Sequence, residues 1–415
     1  MKLSRAIVLC LAGLAAIPGR ADYLDRIDDA LTLTAAQDRI RARISGTLDL
    51  EDYALPQPPP GLLFSDQHNL VTPRLSLFLD AQLGGRVYVF AESRVDRGFD
   101  PSDDNARARL DEYAVRFSPA SDASLNFQIG KFATVVGNWV TRHGSWENPF
   151  VTAPLPYENL MGLWDVVAAT SPATILKWAH LAPPSSAADE YADKTRRLPI
   201  IWGPSYATGA AVTGEIGKFD YAVEVKNASL SSRPQSWPAT RADWRQPTVS
   251  GRLGYQPDEA WNWGFSASTG SYLRPVVAPT LAAGRSLNDY RETVFGQDAG
   301  YAWHYWQLWA EVYEARFAVP RVGNADTLAY YLEAKYKFTP QFFGALRWNQ
   351  QLFATIPDGV GGTVRWGRNI WRLDAAPAYR FTPHTQLKFQ YSLQYESLRS
   401  REFSHTLAIQ FTVRF

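Results

Sequence analysis

Apolar and polar side chains alternate with a period of two along much of this chain. The segment 39–51 shows the pattern clearly, because its apolar face comprises Ile40, Ala42, Ile44, Leu48 and Leu50 while the alternate positions carry Arg, Ser, Thr, Asp and Glu. The C-terminal segment repeats the alternation and ends on an aromatic residue, Phe415. Successive side chains of a β-strand point to opposite faces. The pattern therefore predicts strands whose two faces meet different environments.

Segments of this kind are about ten residues long, the length that a tilted strand needs to cross a bilayer. Short turns such as Gly84-Gly85 and Thr339-Pro340 join many of them in pairs, which is typical of hairpins. The predicted strands are 39–51, 74–83, 86–96, 109–118, 124–132, two within 164–181 separated near Pro172, 204–215, 218–229, 248–256, 261–270, 293–303, 306–316, 327–338, 341–351, 369–381, 386–396 and a closing strand from Ser404.

Long connections alternate with the short turns. They cover 52–73, 97–108, 133–163, 182–203, 230–247, 271–292, 317–326, 352–368 and 397–403. A β-sandwich explains the alternation of side chains but not why every second connection is long. We therefore predict an all-β fold over residues 39–415, a transmembrane antiparallel β-barrel of about 18 strands, with about 16 as the alternative.

Aromatic residues support a membrane barrel, because they form 13% of the chain and many lie beside the short turns. Such positions match the aromatic belt at one membrane face. Aromatic plugs at the ends of a soluble sandwich are the alternative explanation. The residues concerned are Phe117, Phe219, Tyr255, Trp261, Trp303, Trp306, Phe338, Phe342, Phe381 and Phe415.

The N-terminus has the features of an export signal. Residues 1–21 contain Lys2 and Arg5, an apolar run from Ala6 to Ile17, and small residues before a predicted cleavage site. Removing this segment takes away Cys10, the single cysteine, and changes the formal net charge from +1 to −2. Such a balance suggests no nucleic-acid partner. Residues 22–38 are predicted to be a periplasmic lead-in, either a short amphipathic helix or a flexible segment.

Particular motifs resemble the porins of the Gram-negative outer membrane, including the phosphate-selective-porin-like group. They are Leu110–Pro119 followed by Leu125–Lys131, Phe295–Tyr301, Tyr379–Pro383 with Leu387–Tyr391, and the terminal Phe415. The resemblance implies a location in the bacterial outer membrane among lipid and lipopolysaccharide, and a homotrimer. It also implies that the outer-membrane assembly machinery reads Phe415, and that the long loop 133–163 folds inward to narrow the channel.

If the apolar face of each strand meets lipid, the other face lines the bore. Arginines on the first three strands suggest a track for anions, since guanidinium stays charged and binds carboxylate or phosphate with two donors. An ordinary porin wall whose field only orients solutes is the alternative. The pore-lining candidates are Arg41, Arg43, Arg74, Arg86, Arg94, Glu92, Arg116, Glu112, Glu311, Trp309 and Tyr313.

The loop 133–163 supplies three candidates for the constriction, Arg142, Glu147 and Glu158. A surface lid that never contacts the pore is the alternative for this loop. The wall aromatics Tyr88, Phe90, Trp309, Tyr313 and Tyr331 either let sugar faces slide past or pack against an inward loop.

The sequence therefore predicts a passive porin for small hydrophilic solutes, with a preference for anions or an oligosaccharide-conducting channel as finer expectations. It predicts no catalytic residues, no metal site and no cofactor. His143-Gly144-Ser145 is the one arrangement that suggests a barrel enzyme, and it lacks an identifiable acidic partner. A purely structural barrel is the third class, which the many inward charges disfavour.

Overall fold

A computed structural model describes residues 21–96, 107–180, 187–234, 244–397 and 403–415. Within these residues, 16 antiparallel strands close into one barrel. They are β1 (Ile40–Ala54), β2 (Asn69–Leu83), β3 (Val87–Asp96), β4 (Arg107–Phe117), β5 (Asn126–Phe132), β6 (Ala207–Ile216), β7 (Phe219–Lys226), β8 (Thr248–Tyr255), β9 (Trp261–Ser271), β10 (Arg291–Trp303), β11 (Trp306–Val319), β12 (Gly323–Lys337), β13 (Phe342–Phe353), β14 (Ile370–Thr382), β15 (Thr385–Glu396) and β16 (Ser404–Arg414).

The described helices and the shorter strands are not among these 16 strands. The helices are α1 (Ala21–Ala30), α2 (Leu155–Glu158), α3 (Pro172–His180) and α4 (Ala187–Lys194), with 3-10 turns at Trp139–Arg142, Pro275–Thr280 and Leu287–Asp289. Two small ladders pair Met161–Trp164 with Arg197–Leu198 and Thr355–Pro357 with Thr363–Arg365. No helix in the described ranges is both long enough and apolar enough to cross a membrane.

The barrel closes because β1 pairs with both β2 and β16. Leu48 lies opposite Leu75 on one side and opposite Val413 on the other. Strand β16 ends opposite Thr47, and below that point the short strand Thr32–Ala35 pairs with β1 instead. The seam therefore leaves little of the β1 edge unpaired, which matters because an open sheet edge is not tolerated in lipid.

The two faces of the wall differ as the alternation predicts. On β12, Leu332 is 53% exposed on the outside, whereas its neighbour Glu333 is buried on the inside. Glu333 lies opposite Arg347 of β13, which is also buried, and Leu346 beside it is exposed outside. The prediction of an antiparallel barrel with an apolar exterior is thus confirmed.

The predicted number of about 18 strands is wrong and the alternative of 16 is confirmed; the error lies in residues 164–181. Met161–Trp164 forms a short ladder that is separate from the barrel sheet, and Pro172 begins helix α3 instead of separating two strands. Proline suits the first turn of a helix, where its missing N–H has no intrahelical partner. Ile175 and Trp178 of α3 are buried. One connection therefore runs from the end of β5 to the start of β6.

A second correction concerns the predicted long loop 317–326. Strands β11 and β12 continue almost to each other, and Val319 pairs with Gly323 across a tight turn. Arg321 and Gly323 have positive φ values of 58° and 102°, which such a turn requires. The turn residues Pro320, Gly323, Asn324 and Asp326 are spread over seven positions, so the segment resembles a longer loop.

The alternation predicts a polar interior, but the interior is not polar throughout. At the end of the barrel that carries the long connections, here called the loop end, loops and wall bury an apolar core. The opposite end, with the short turns, is called the turn end. The core includes Val136, Leu163, Ile175, Ile201, Leu287, Phe317 and Trp366. The connections thus fill part of the bore at the loop end.

An arginine on the outer face should destabilise the barrel if that face meets lipid. Leu332→Arg places a charge near the middle of β12 and should cost about 2–4 kcal/mol of unfolding free energy in vesicles. Reversible denaturant unfolding in phospholipid vesicles measures the difference. Tyr305→Arg, in the exposed turn after β10, is the matched control and should change stability little. Equal stability of both variants and the parent would contradict a lipid-facing Leu332.

Candidate functional site

The segment that follows β5 turns into the barrel and binds its inner wall. The carboxylate of Glu311 on β11 accepts the backbone N–H of Trp139 at 2.7 Å and the hydroxyl of Tyr157 at 2.7 Å. It also accepts the backbone N–H of Asn138. Tyr157 further contacts the Tyr313 hydroxyl at 2.7 Å. A single buried acid therefore holds two separate parts of the segment.

Arg142 makes the next contact with the wall. Its guanidinium donates to Glu333 at 2.5 Å and to the Tyr331 hydroxyl at 3.0 Å, and lies 4.3 Å from the centre of the Trp309 ring. Burial alone would lower the pKa of Arg142, but the Glu333 carboxylate raises it above its usual range. Arg142 is thus a buried, permanently charged anchor.

The following residues are held through their carbonyl groups. The Lys388 ammonium on β15 donates to the carbonyls of Ser145, Asn148 and Phe150 at 2.7, 2.9 and 3.2 Å. Arg347 donates to the carbonyl of Thr152 at 3.0 Å. Irregular backbone away from water must find hydrogen-bond partners. Cationic side chains of the wall supply them, so the inner wall is shaped to hold this segment.

The segment leaves space along one side of the barrel. A cavity of about 700 Å³ lies between it and the wall formed by β1, β2, β3 and β16. At the turn end it is lined by Asp28, Arg43 and Arg414, and at the loop end by Leu63 and Phe64. The route is therefore off the barrel axis.

Carboxylates outnumber guanidinium groups among the described residues that line the cavity. The acids are Asp28, Asp49, Glu51, Glu92, Asp96, Glu147 and Glu158, and the arginines are Arg43, Arg74, Arg94 and Arg414. Each of the first three arginines pairs with at least one of these acids, as in the contacts of Arg74 with Asp49 at 3.2 Å and of Arg94 with Glu92 at 2.5 Å. Two further acids of the lining, Asp96 and Glu158, pair with Arg109 and Arg372 outside it.

Solved structures with the same architecture decide the fold. The chain is similar to Salmonella typhi OmpF in complex with daunomycin, with 11% identity, 92% of this chain and 100% of that chain covered, and a TM-score of 0.55. It is similar to the outer-membrane channel DcaP of Acinetobacter baumannii, with 10% identity, 92% and 100% covered, and a TM-score of 0.55. It is also similar to the anion-selective porin from Comamonas acidovorans, with 10% identity, 91% of this chain and 100% of that chain covered, and a TM-score of 0.52. The fold is that of a porin.

At these identities the likeness establishes the porin fold and nothing finer. Models of protein families give no match to this chain, and neither does a search of curated proteins. The porin fold agrees with the barrel of 16 strands and not with the larger number predicted from the sequence.

Several predicted pore-lining residues do border the cavity of this porin fold. Arg43, Arg74, Glu92 and Arg94 line it, as do Glu147 and Glu158 of the predicted constriction. Glu158 is held by Arg372 of β14. The cavity therefore brings together wall residues of three neighbouring strands and two acids of the long connection.

Other predicted lining residues are separated from the cavity. Glu311, Trp309 and Tyr313 lie behind the inward segment and hold it. Trp309, Tyr313 and Tyr331 thus pack against the inward segment. This agrees with the second of the two roles suggested for the wall aromatics, packing against an inward loop. Glu112 likewise accepts the backbone N–H of Ala133 at 2.9 Å, so it fixes the start of the segment.

The remaining predicted residues lie near the turn end. Arg116 donates to Gln128 at 2.9 Å and is about equally distant from the rings of Tyr88 and Phe90, at 5.8 and 5.9 Å. Arg41 is exposed, and Arg86 lies in the exposed turn between β2 and β3. The predicted arginine track therefore does not run continuously along the bore.

Sequence reasoning missed the residues that hold the inward segment, chiefly Lys388, Arg347 and Arg372. Their alternation placed them on the inner face, which is correct, but nothing in the sequence indicates which inward cations meet a loop. It also missed Glu51 and Asp96 as cavity residues, although they share strands with the predicted arginines.

His143 does not pair with Ser145. Its Nδ1 contacts the Val140 carbonyl at 2.5 Å and its Nε2 contacts the Tyr206 hydroxyl at 3.0 Å, and Tyr206 in turn donates to Glu92. Burial lowers the pKa of His143, although the Glu92 carboxylate opposes this. The histidine therefore ties the inward segment to β3 and has no nitrogen left to activate a serine.

Proposed function

We propose that this protein is a porin of the bacterial outer membrane, a passive channel for small hydrophilic solutes. The observation that carries the proposal is the polar cavity beside the inward segment, which extends from Arg43 and Arg414 at the turn end to Phe64 at the loop end. Solutes enter between the connections of the loop end, pass Arg74 and Arg94, and leave at the turn end. No energy source is needed for movement down a gradient.

The charge of the lining favours cations over anions. Arginines such as Arg74 are offset by Asp49 and Glu51, and Glu147, which has no ion pair among the described residues, attracts positive charge to the route. We therefore propose a preference for cations in place of the preference for anions that the arginine pattern suggests.

Aromatic side chains in the cavity suit solutes with an apolar face, which keeps the oligosaccharide channel as a second candidate. Rings offer apolar contact without a strong trap. They lie beside the charged residues, and comprise Tyr53, Phe64, Phe78, Trp139, Trp146, Phe150, Tyr157 and Phe415.

The proposal includes the surroundings of the barrel. The outer face would contact lipid and lipopolysaccharide, and three copies would form a homotrimer, for which analytical ultracentrifugation in detergent is the test. The assembly machinery would read Phe415. Its backbone N–H donates to the Gly46 carbonyl at 3.0 Å and its carbonyl accepts the Gly46 N–H at 2.9 Å, which supports a role of the last residue in closing the seam.

Conductance in a planar lipid bilayer tests the proposed channel. The purified, folded protein should produce discrete current steps in KCl, whereas a heat-denatured sample of the same preparation should not. In a KCl gradient the reversal potential should indicate cation preference. Silence of the folded protein in every salt and at both polarities would refute a channel.

A further inference from the structure

The connection between β1 and β2 is closed at its base. Residues 55–68, here called the bridge loop, start directly after β1 and end directly before β2. The backbone N–H of Leu55 donates to the His68 carbonyl at 2.8 Å, and Nδ1 of His68 lies 3.0 Å from the carbonyl oxygen of Leu55. The Gln57 amide donates to the Gln67 carbonyl at 2.6 Å. The bridge loop is therefore fixed to the wall at both of its ends.

The tip of the bridge loop reaches the inward segment on the other side of the cavity. Gly61 has a positive φ of 55°, and a Cβ atom at this position would lie 3.0 Å from the carbonyl oxygen of Glu158. Glu158 ends helix α2 of the inward segment. Leu62, Leu63 and Phe64 follow Gly61 and line the loop end of the cavity. The bridge loop thus spans the cavity from the wall to the inward segment.

Helix α4, which belongs to another connection, holds this tip. The Lys194 ammonium donates to the Pro59 carbonyl at 2.7 Å and to the Leu63 carbonyl at 2.5 Å. The centre of the Tyr191 ring lies 5.4 Å from that of Phe64, with the two planes at 65°. Lys194 is only 8% exposed, so little water competes for its hydrogen bonds. One lysine therefore fixes a backbone position on each side of Gly61.

The position of the tip depends on Lys194 more than the position of the base does. Within the described ranges, both hydrogen bonds that join residues 59–64 to another connection come from this ammonium. Hydrogen bonds from a charged donor are stronger than those between neutral groups. The base keeps its own hydrogen bonds between Leu55 and His68, which do not involve α4. Removing the ammonium should therefore release the tip and leave the base closed.

We propose that the bridge loop sets the largest solute that the channel admits at its loop end, and that Lys194 is the residue that positions it. While Lys194 holds the tip, Leu62 and Leu63 lie at the loop end of the cavity and exclude bulky solutes. In the released state the tip leaves Glu158, and larger neutral sugars enter. The inference rests on the proposed channel for its effect on permeation, but release of the tip does not require conduction.

Spin-label mobility measures release of the tip directly. In a Cys10→Ser background, Leu62→Cys carries a nitroxide on the tip. Mobility should be low in this parent and high in Lys194→Met, because loss of a hydrogen bond to a charged group shifts an equilibrium at least about tenfold. Tyr191→Ala, which loses the ring contact, should also raise mobility and replaces Lys194→Met if that variant does not fold. Lys177→Met, at an exposed position of α3, is the matched control and should leave mobility low.

Swelling of proteoliposomes in neutral sugars measures the size limit. The entry rate of raffinose, a trisaccharide, relative to that of arabinose should rise at least about threefold in Lys194→Met, because only the released state admits the larger sugar. Lys177→Met should keep the parent's ratio. Unchanged label mobility in Lys194→Met would overturn the inference whether or not the protein conducts. A mobile tip with an unchanged ratio would overturn its role in size selection. A parent that admits neither sugar and carries no current in KCl would instead count against the proposed channel.

Discussion

Replacing Glu311 with alanine should release the inward segment and raise the single-channel conductance. The substitution leaves the backbone N–H groups of Asn138 and Trp139 and the hydroxyl of Tyr157 without their acceptor. Each unsatisfied buried group costs about 1–3 kcal/mol. A loss of that size makes the detached state of the segment at least about fivefold more populated. Current recordings should show larger mean steps and more open-channel noise.

Glu314→Ala is the matched control for this experiment. Glu314 lies on the same strand but on the outer face, where it is exposed. Its removal should leave conductance unchanged. A Glu311→Ala protein that folds, as judged by heat-dependent mobility on gels, and conducts like the parent would show that the segment does not narrow the route.

Local pattern predicts the wall of this protein well. Hairpins such as β2–β3 and β12–β13 appear in the sequence because a period of two and a short turn are both properties of neighbouring residues. Leu332 and Leu346 are exposed outside, and Glu333 and Arg347 buried inside, on the faces that alternation assigns to them. The outer wall is therefore determined by local sequence.

The strand count shows where local pattern fails. The residues after Pro172 carry apolar side chains close together, and over so few residues a helix and a buried strand are difficult to distinguish. Their side chains are buried in the apolar core of the loop end, which the sequence does not reveal. Tertiary burial, and not alternation, decides the structure of this segment.

The candidate site was predictable only in part. Inward residues such as Arg74 and Glu92 follow from alternation, and both line the cavity. Which inward residues remain open depends on where the loop lies. This is set by Glu311, Glu333 and Lys388, whose partners in the loop are 154 or more residues away along the chain. Long-range contacts of this kind leave no mark in a single sequence.

Replacing Glu147 with lysine should reverse or strongly weaken the preference for cations. Glu147 is exposed and lines the cavity, and within the described residues its carboxylate has no ion pair or hydrogen bond. The other six acids of the lining each have such a partner, as Glu158 has Arg372. Glu147 is therefore the acid most able to interact with a passing ion.

The expected magnitude follows from Coulomb's law. A unit charge 4 Å from a passing ion contributes about 1 kcal/mol even with the dielectric constant of bulk water. Exchanging −1 for +1 should therefore change the permeability ratio of K⁺ to Cl⁻ at least about fivefold. The new charge also acts on Arg380 and Arg414, so folded protein is first selected by heat-dependent mobility on gels. The measurement is the reversal potential in a tenfold KCl gradient, with Glu314→Lys on the outer face as the matched control. If the two variants give the same reversal potential, Glu147 does not face the route that ions take.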